Sequence, residues 1–249
     1  MVQYPQMPGS GAGQPTAARA EVVNIFMRGV YGWMSLGLGL TAVVAFFAST
    51  SPAVLNVLFN VNPANGAATI SPLVWGLFIG EFILVMALAG AIHKMSATTA
   101  STLFLVYAGV NGLTLTPIVL LYTAQSIAAT FAVTAGMFGA MSIYGLVTKK
   151  DLTSWGSFLF MGLIGIVIAS VVNIFMHSSA LHFAISIIGV FIFLGLTAYD
   201  TQKLRKMGES APLHDGTAIR RGTILGALSL YLDFLNLFLM LLRFMGDRR

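Results

Sequence analysis

The chain has 249 residues, of which 57% are hydrophobic and only 8% are charged. A soluble domain carries about 25% charged residues, so this composition excludes a soluble globular protein and predicts an all-α polytopic membrane protein. The chain contains no cysteine, which excludes disulfides, thiolate catalysis and cysteine-ligated metal sites.

The N-terminal segment differs in composition from the rest of the chain. Its sequence, MVQYPQMPGSGAGQPTAARA, is rich in Pro, Gly, Gln and Ala, and it lacks the apolar core of a signal peptide. We therefore expect residues 1–20 to form a disordered cytoplasmic tail and residues 21–249 to form one membrane domain.

Seven apolar segments of about 20 residues follow, each long enough to cross a hydrocarbon core of roughly 30 Å. The predicted spans are Val30–Ala48, Pro72–Ile92, Ala100–Leu121, Ile127–Val147, Ser157–Met176, Leu181–Tyr199 and Thr223–Leu242. Pro117 predicts a kink in the third span. Gly136 with Gly139, and Gly162 with Gly165, are spaced as small residues that let helices approach closely in lipid.

The net charge of +5 reflects the position of the basic residues between the spans. They precede the first span, follow the second and fourth, and lie between the sixth and seventh: Arg19, Arg28, Lys94, Lys149, Lys150, Lys203, Arg205, Lys206, Arg220 and Arg221. This positive-inside pattern predicts a cytoplasmic N-terminus and no nucleic-acid partner.

The C-terminal arginines leave one question of topology open. Seven complete spans place Arg243, Arg248 and Arg249 outside, whereas a re-entrant last helix would return them to the cytoplasm. The length of the last apolar segment favours a complete span.

Charged residues inside the spans are the candidates for function. Asp233 lies in the middle of the last span, where a charge costs roughly 2.5 to 3.5 kcal/mol, so it requires a partner, water or a proton. Asp200 follows the sixth span. Because the sixth and seventh spans are antiparallel, Asp200 and Asp233 are expected at similar depth in the cytoplasmic half.

Two carboxylates that share a low-dielectric site cannot both ionise cheaply, and their protons leave in two coupled steps. Such a pair is a candidate pH sensor. It is also a weak, transient cation site, because two carboxylates give too few ligands for tight calcium binding. The alternative is that each aspartate only hydrogen-bonds nearby hydroxyls, namely Thr197, Ser229 or Tyr231.

Glu81 lies midway along the second span and also requires a partner. Arg243 lies about 15 Å beyond Asp233 on the last helix, so an ion pair between Glu81 and Arg243 is expected, either structural or within a pore. None of the four histidines has metal-ligand spacing, and no cofactor is predicted.

Three segments resemble the Bax inhibitor-one family, also called the transmembrane Bax-inhibitor-motif family. They are NGLTLTPI in the third span, GLTAYDTQKL in the sixth and LGALSLYLDFLNLFLMLLRF in the seventh. VYGWM and TAGMFGAMSIYG are similar to its bacterial inner-membrane branch. The resemblance covers the chain from Arg28 to the C-terminus and implies six helices surrounding a central C-terminal helix.

The resemblance also implies a function. Members include a pH-sensitive calcium leak, in which the aspartates that match Asp200 and Asp233 form a hydrogen-bonded pair that gates the cytoplasmic side. In that relative an arginine at the inner end of the second helix latches onto the pair. This chain has His93 and Lys94 there, and lysine keeps the charge but not the bidentate geometry.

Three functions remain open. The first is an ion leak channel, with calcium as the transported ion. The second is an intramembrane aspartyl protease, but the required GxGD motif is replaced by LYLD at Leu230–Asp233, so no enzyme is predicted. The third is a non-conducting modulator of a membrane protease or another membrane complex, to which a bacterial relative is linked, with Met1–Ala20 as its contact.

Overall fold

The computed structural model describes residues 14–61, 68–211 and 216–249. Within these ranges the helices are α1 (Gln14–Thr50), α2 (Pro52–Leu58), α3 (Pro72–Ala91), α4 (Ala97–Thr114), α5 (Thr116–Leu121), α6 (Ala124–Val147), α7 (Thr153–Met176), α8 (Ser179–Ser210) and α9 (Gly216–Met245). An antiparallel hairpin of β1 (Phe59–Val61) and β2 (Ala68–Ile70) follows α2, and a short 3-10 turn, Ile92–Lys94, follows α3.

Seven helical segments among the described residues are long and apolar enough to cross a membrane, which confirms the predicted spans. The third span is formed by α4 and α5 together. The helix breaks at Leu115, two residues before Pro117, because proline has no N–H to donate and its ring crowds the preceding turn. The kink expected in this span therefore takes the form of a one-residue break between α4 and α5.

Some ends of elements differ from the prediction. Helix α1 begins at Gln14, inside the segment expected to be disordered, and residues 1–13 of that segment lie outside the described residues. Helix α8 continues to Ser210, so Asp200 lies within a continuous helix rather than at its end. Helix α2 and the hairpin were not predicted, although Asn65-Gly66 between the two strands is a sequence pattern typical of hairpins.

Helix α9 occupies the centre of the bundle. In its most apolar stretch 67% of the residues are buried, compared with at most 39% in any other span of the described chain. It packs against α1, α4, α6 and α8, whereas α3 packs mainly against α4 and α7 mainly against α8. This burial is consistent with the expected central position of the C-terminal helix, although four helices rather than six pack directly against it.

The last helix crosses the full depth of the bundle. Near its start, the Arg221 guanidinium donates to the His93 carbonyl over 3.0 Å. Beyond its end, the Thr123 N–H donates to the Asp247 carbonyl over 3.2 Å and the Arg249 N–H to the Leu121 carbonyl over 2.9 Å. The C-terminus therefore lies at the junction of α5 and α6, opposite the connection between α8 and α9, and a re-entrant last helix is excluded.

Of the four glycines predicted to let helices pack closely, one lies at a close helix contact. A Cβ at Gly136, Gly139 or Gly165 would have no neighbour within 4 Å, whereas one at Gly162 would come within 2.7 Å of the Ile192 side chain. The predicted glycine pairs are therefore wrong for three of these four positions.

Two glycines instead face the backbone of another helix. A Cβ at Gly112 would lie 2.8 Å from the Thr41 carbonyl oxygen, and one at Gly145 would collide with the Ala198 carbonyl oxygen. A carbonyl of a packed helix cannot rotate away as a side chain can. These two glycines therefore set the distances from α4 to α1 and from α6 to α8.

We predict that Gly145→Ala destabilises the protein by about 1 to 3 kcal/mol, because overpacking forces α6 away from α8. Gly139→Ala, on the same helix with open space around it, should be neutral or slightly stabilising, because alanine favours a helix over glycine. Thermal unfolding of the two detergent-solubilised variants checks this. Equal melting temperatures would show that α6 and α8 do not need this close approach.

Candidate functional site

Asp233 lies on the central helix and is only 5% exposed. Its Oδ2 atom is buried and has no hydrogen-bond partner among the described residues. Buried polar atoms almost always have a partner, and a carboxylate inside a membrane is the most costly exception. Asp233 is therefore a position that requires a proton, water or a cation.

Asp200 lies on the neighbouring helix, α8, and is half-buried. It is within electrostatic range of Asp233, so the fold brings the two predicted carboxylates into one region. No hydrogen bond joins them in this arrangement of the described chain, and the hydrogen-bonded pair stays a prediction. Lys203, one turn farther along α8, is within electrostatic range of Asp200, and sequence reasoning did not assign it this position.

The nearby hydroxyls do not bond to the aspartates. Thr197 donates to the Phe193 carbonyl over 2.7 Å. Thr41 has its own carbonyl acceptor, Ala108 O at 2.8 Å, so the Tyr231 hydroxyl donates to Thr41 Oγ1 over 2.6 Å. Local hydroxyl bonding therefore does not account for the two carboxylates.

Two hydroxyl groups on adjoining helices also have unmet hydrogen-bonding capacity. Ser142 Oγ on α6 and Thr201 Oγ1 on α8 are buried without a partner among the described residues. Thr201 follows Asp200 in sequence, and Ser142 lies one turn before Gly145, at which the two helices touch. Unpaired polar atoms of this kind are where buried water binds.

The segment after Asp200 is fixed to the connection between α6 and α7. The Gln202 side chain accepts from the Leu152 N–H over 2.9 Å and donates to the Lys150 carbonyl over 2.8 Å. Arg205 donates to the Leu146 carbonyl, and the Lys206 ammonium lies 2.7 Å from Asp151. We call this set of contacts the inner clamp.

Asp151 is the titratable acid of the inner clamp, and it lies between spans. The hydrogen bond from Lys206, with a further one from Thr153, lowers the pKa of the Asp151 carboxyl to about 2. A lowered pKa stabilises the folded state above the unfolded value of about 4, and that contribution is lost as the pH falls towards 2. The Asp151 carboxyl therefore stays ionised near neutral pH.

Glu81 has a different partner from the one expected. Its Oε1 accepts from the Thr114 hydroxyl over 2.7 Å, and no ion pair joins it to Arg243 in the described part of the chain. Arg243 lies near the far end of α9, within electrostatic range of Tyr122 and His182. Thr114 satisfies Glu81 from the adjoining helix, so the expected ion pair is not formed.

His93 and Lys94, the predicted latch residues, are both exposed on the 3-10 turn after α3. The His93 carbonyl accepts from Arg221, and no hydrogen bond or ion pair joins either side chain to an aspartate within the described ranges. The latch is not formed. Among the described residues, no group of three or more His, Asp or Glu side chains is gathered to hold a metal ion.

A network of polar aromatic residues was not identified from the sequence. Tyr231 is fully buried and packs edge-on against Phe104 and Tyr107, with ring centroids 5.7 and 5.8 Å apart. Its bond to Thr41 connects α9 to α1. The sequence signal that could have identified this network is a threonine and a tyrosine inside apolar spans. Their hydroxyl groups need hydrogen-bond partners, because lipid offers none.

The comparisons with known proteins agree with the sequence motifs. A family model described as Inhibitor of apoptosis-promoting Bax1 matches residues 23–249. The chain is 53% identical to the inner membrane protein YbhL of Escherichia coli K12 over 91% of this chain and 93% of that protein. It is 47% identical to an uncharacterized protein of Borreliella burgdorferi, over 94% and 97% of the two chains.

A more distant relative, an uncharacterized membrane protein of Streptococcus pyogenes, is 35% identical over 90% of this chain and 93% of its own. The matches therefore extend over almost the whole chain. None of these names assigns an enzymatic activity.

We predict that Glu81 is energetically coupled to Thr114 and not to Arg243. In a double-mutant cycle, Glu81→Leu with Thr114→Val should show a coupling of about 1 to 3 kcal/mol, because the hydrogen bond involves a group able to carry charge. The matched cycle of Glu81→Leu with Arg243→Gln should show about 0.5 kcal/mol or less, the range for independent sites. Unfolding in detergent measures both, and a larger coupling to Arg243 would contradict the structure.

Proposed function

Since the chain belongs to the Bax inhibitor family of membrane proteins, we propose that it is a pH-sensitive ion leak channel of the bacterial inner membrane. Asp200 and Asp233 form its proton sensor. The observation that carries the proposal is the buried Asp233 carboxylate, which has an unbonded oxygen and a second carboxylate within electrostatic range.

The sensor acts through the number of protons that the pair holds. With one proton, the two carboxyl groups can share a hydrogen bond that ties α8 to α9. With none, two negative charges repel each other in a medium of low dielectric. Protonation therefore shifts an equilibrium between closed and open forms, because the two forms bind the proton differently.

The ion that this site suits is a hard cation, and we propose calcium as the transported ion. Carboxylate oxygens are ligands that calcium accepts, but it takes 6 to 8 of them when tightly bound. Asp200 and Asp233 supply too few for storage. Weak binding suits passage, because a conducted ion must leave as readily as it enters.

The inner clamp holds in place the part of α8 that follows Asp200. Gln202, Arg205 and Lys206 hold the end of α8 against the connection between α6 and α7. The Asp151 carboxylate stays charged well above its pKa of about 2. Titration of Asp151 therefore does not account for a change in conduction near neutral pH.

We predict that calcium flux through the reconstituted protein depends on pH between about 5 and 8, because protons leave the pair in two separate steps. Asp200→Asn and Asp233→Asn should each flatten this dependence, since an amide does not titrate. Asp151→Asn is the control, and it should leave the pH dependence unchanged.

Flux into liposomes loaded with a calcium indicator is the measurement. The double variant combines Asp200→Asn with Asp233→Asn. If its pH response equals that of the wild type, the pair is structural and is not a pH sensor. Absence of flux at every pH would overturn the channel proposal and favour a modulator that conducts nothing.

We propose a cytoplasmic N-terminus. Ten of the 13 basic residues lie in the first half of α1, just after α3 and α6, in the last turns of α8 or in the first turns of α9. These regions share one side, since Arg19 donates to the Ala211 carbonyl over 2.9 Å. Positive charge is retained on the cytoplasmic side.

Because the chain contains no cysteine, single cysteines test the orientation. A membrane-impermeant maleimide added to intact spheroplasts should label Asp247→Cys and should leave Lys149→Cys unlabelled until lysis. Both positions are exposed, so differential labelling reports sidedness. The reverse pattern would place the N-terminus outside.

A further inference from the structure

A groove opens on the surface of the bundle at the end that carries the C-terminus. Its volume is about 670 Å³, within the range of roughly 300 to 1,000 Å³ that is typical of ligand sites. Side chains of α1 and α6 flank it, and buried side chains of α9, including Phe234 and Phe238, line its inner surface. We call it the outer groove.

The lining is almost entirely apolar. The exposed side chains of Phe46 and Phe131 stand at its sides, so the groove is open towards lipid. Thr41, deep in the groove, is already bonded to the Tyr231 hydroxyl and the Ala108 carbonyl. An occupant therefore meets a surface that suits a hydrocarbon and offers few polar partners.

One end of the outer groove is positively charged. Arg249 lines it, and the N–H of this residue is anchored to the Leu121 carbonyl over 2.9 Å. Arg248 lies beside it with its guanidinium 5.9 Å from the Tyr122 ring centroid. From residue 243 to residue 249 the chain has three arginines and one aspartate, so this end carries net positive charge.

We propose that the outer groove binds an acyl chain of an anionic phospholipid, with the lipid phosphate against Arg249. The apolar groove accepts the chain, and the guanidinium pairs with the phosphate, for which arginine has matching geometry. The site is distinct from the aspartate pair.

The charge at one end of the groove favours a lipid over a helix from another protein. A phospholipid carries its anionic phosphate beside its acyl chains, so one molecule can meet both Arg249 and the apolar lining. All lipid tails are about as apolar as the groove lining, so the tails give the groove little selectivity among lipids. The selectivity therefore depends on the headgroup.

Mass spectrometry of the intact protein tests the proposal. The protein is released from detergent that contains equal amounts of phosphatidylglycerol and phosphatidylcholine of the same chain length. The wild type should retain phosphatidylglycerol about three- to tenfold more than phosphatidylcholine, the ratio expected for about one arginine at an anionic surface. Free glycerol phosphate should not abolish the retention, because it lacks the chain.

Ala128 and Ala129 give a matched pair of variants. Both are exposed on α6, but Ala128 lines the outer groove and Ala129 does not. Ala128→Trp should lower lipid retention at least fivefold, while Ala129→Trp should retain lipid as the wild type does. If Ala128→Trp fails to fold, Ala42→Trp blocks the α1 side of the groove, and Val43→Trp, also exposed but outside the lining, is its control.

Arg249→Gln tests the contribution of the headgroup to binding separately from that of the acyl chain. It should remove the preference for phosphatidylglycerol while leaving total lipid retention largely intact. Arg248→Gln should keep the preference, because Arg248 does not line the groove. Equal retention by Ala128→Trp and Ala129→Trp, no preference in the wild type, or a dimer that only Ala128→Trp dissolves would overturn the proposal.

Discussion

The constraint on which this structure depends is the need to satisfy a carboxylate inside the most buried helix of a membrane bundle. Asp233 lies among apolar residues that pack against four helices, and lipid offers no hydrogen bonds in compensation. Two other polar side chains in the membrane part of α9 have partners: the Tyr231 hydroxyl bonds to Thr41, and the Asn236 amide donates to the Leu232 carbonyl. Asp233 keeps an unbonded oxygen. A helix that bonds its tyrosine and its asparagine but leaves its carboxylate open has the features of a functional site, because such exceptions cluster where a proton or ion binds.

Hydrogen bonds hold both ends of the bundle. At one end the inner clamp fixes α8 through Gln202 and its neighbours. At the other, the residues after α9 pair with the backbone around Tyr122. Asp200 lies two residues before Gln202, beside the inner clamp, and it faces the charge of Asp233 without a hydrogen bond. Moving α8 away from Asp233 would strain the buried bonds of Gln202, so the inner clamp opposes a displacement of α8.

Hydrophobic length and antiparallel order predicted the number of spans and the nearness of Asp200 to Asp233, whereas the central position of the last helix was implied by the resemblance to the family. The sequence did not predict partners that depend on the rotation of each helix. Glu81 and Arg243 had opposite charges, yet Thr114 faces Glu81 and Arg243 lies elsewhere. The glycines failed for the same reason: spacing identified Gly136 and Gly139, but Gly145 is the residue turned towards a carbonyl of another helix. Periodicity gives the existence of a helix, while the face it presents depends on packing with all its neighbours.

Thr41 connects the outer groove to the helix that carries the sensor. It lines the groove, it accepts from the Tyr231 hydroxyl, and Tyr231 lies two residues before Asp233 on α9. A lipid chain that orders this part of α1 affects one turn of α9, and protonation of Asp233 affects the same turn. Such linkage is reciprocal. If a bound lipid changes the proton affinity of Asp233 by some factor, protonation of Asp233 changes the lipid affinity of the groove by the same factor. Two contacts could carry such coupling: the Thr41 to Tyr231 hydrogen bond, and Phe234, which follows Asp233 on α9 and lines the groove itself.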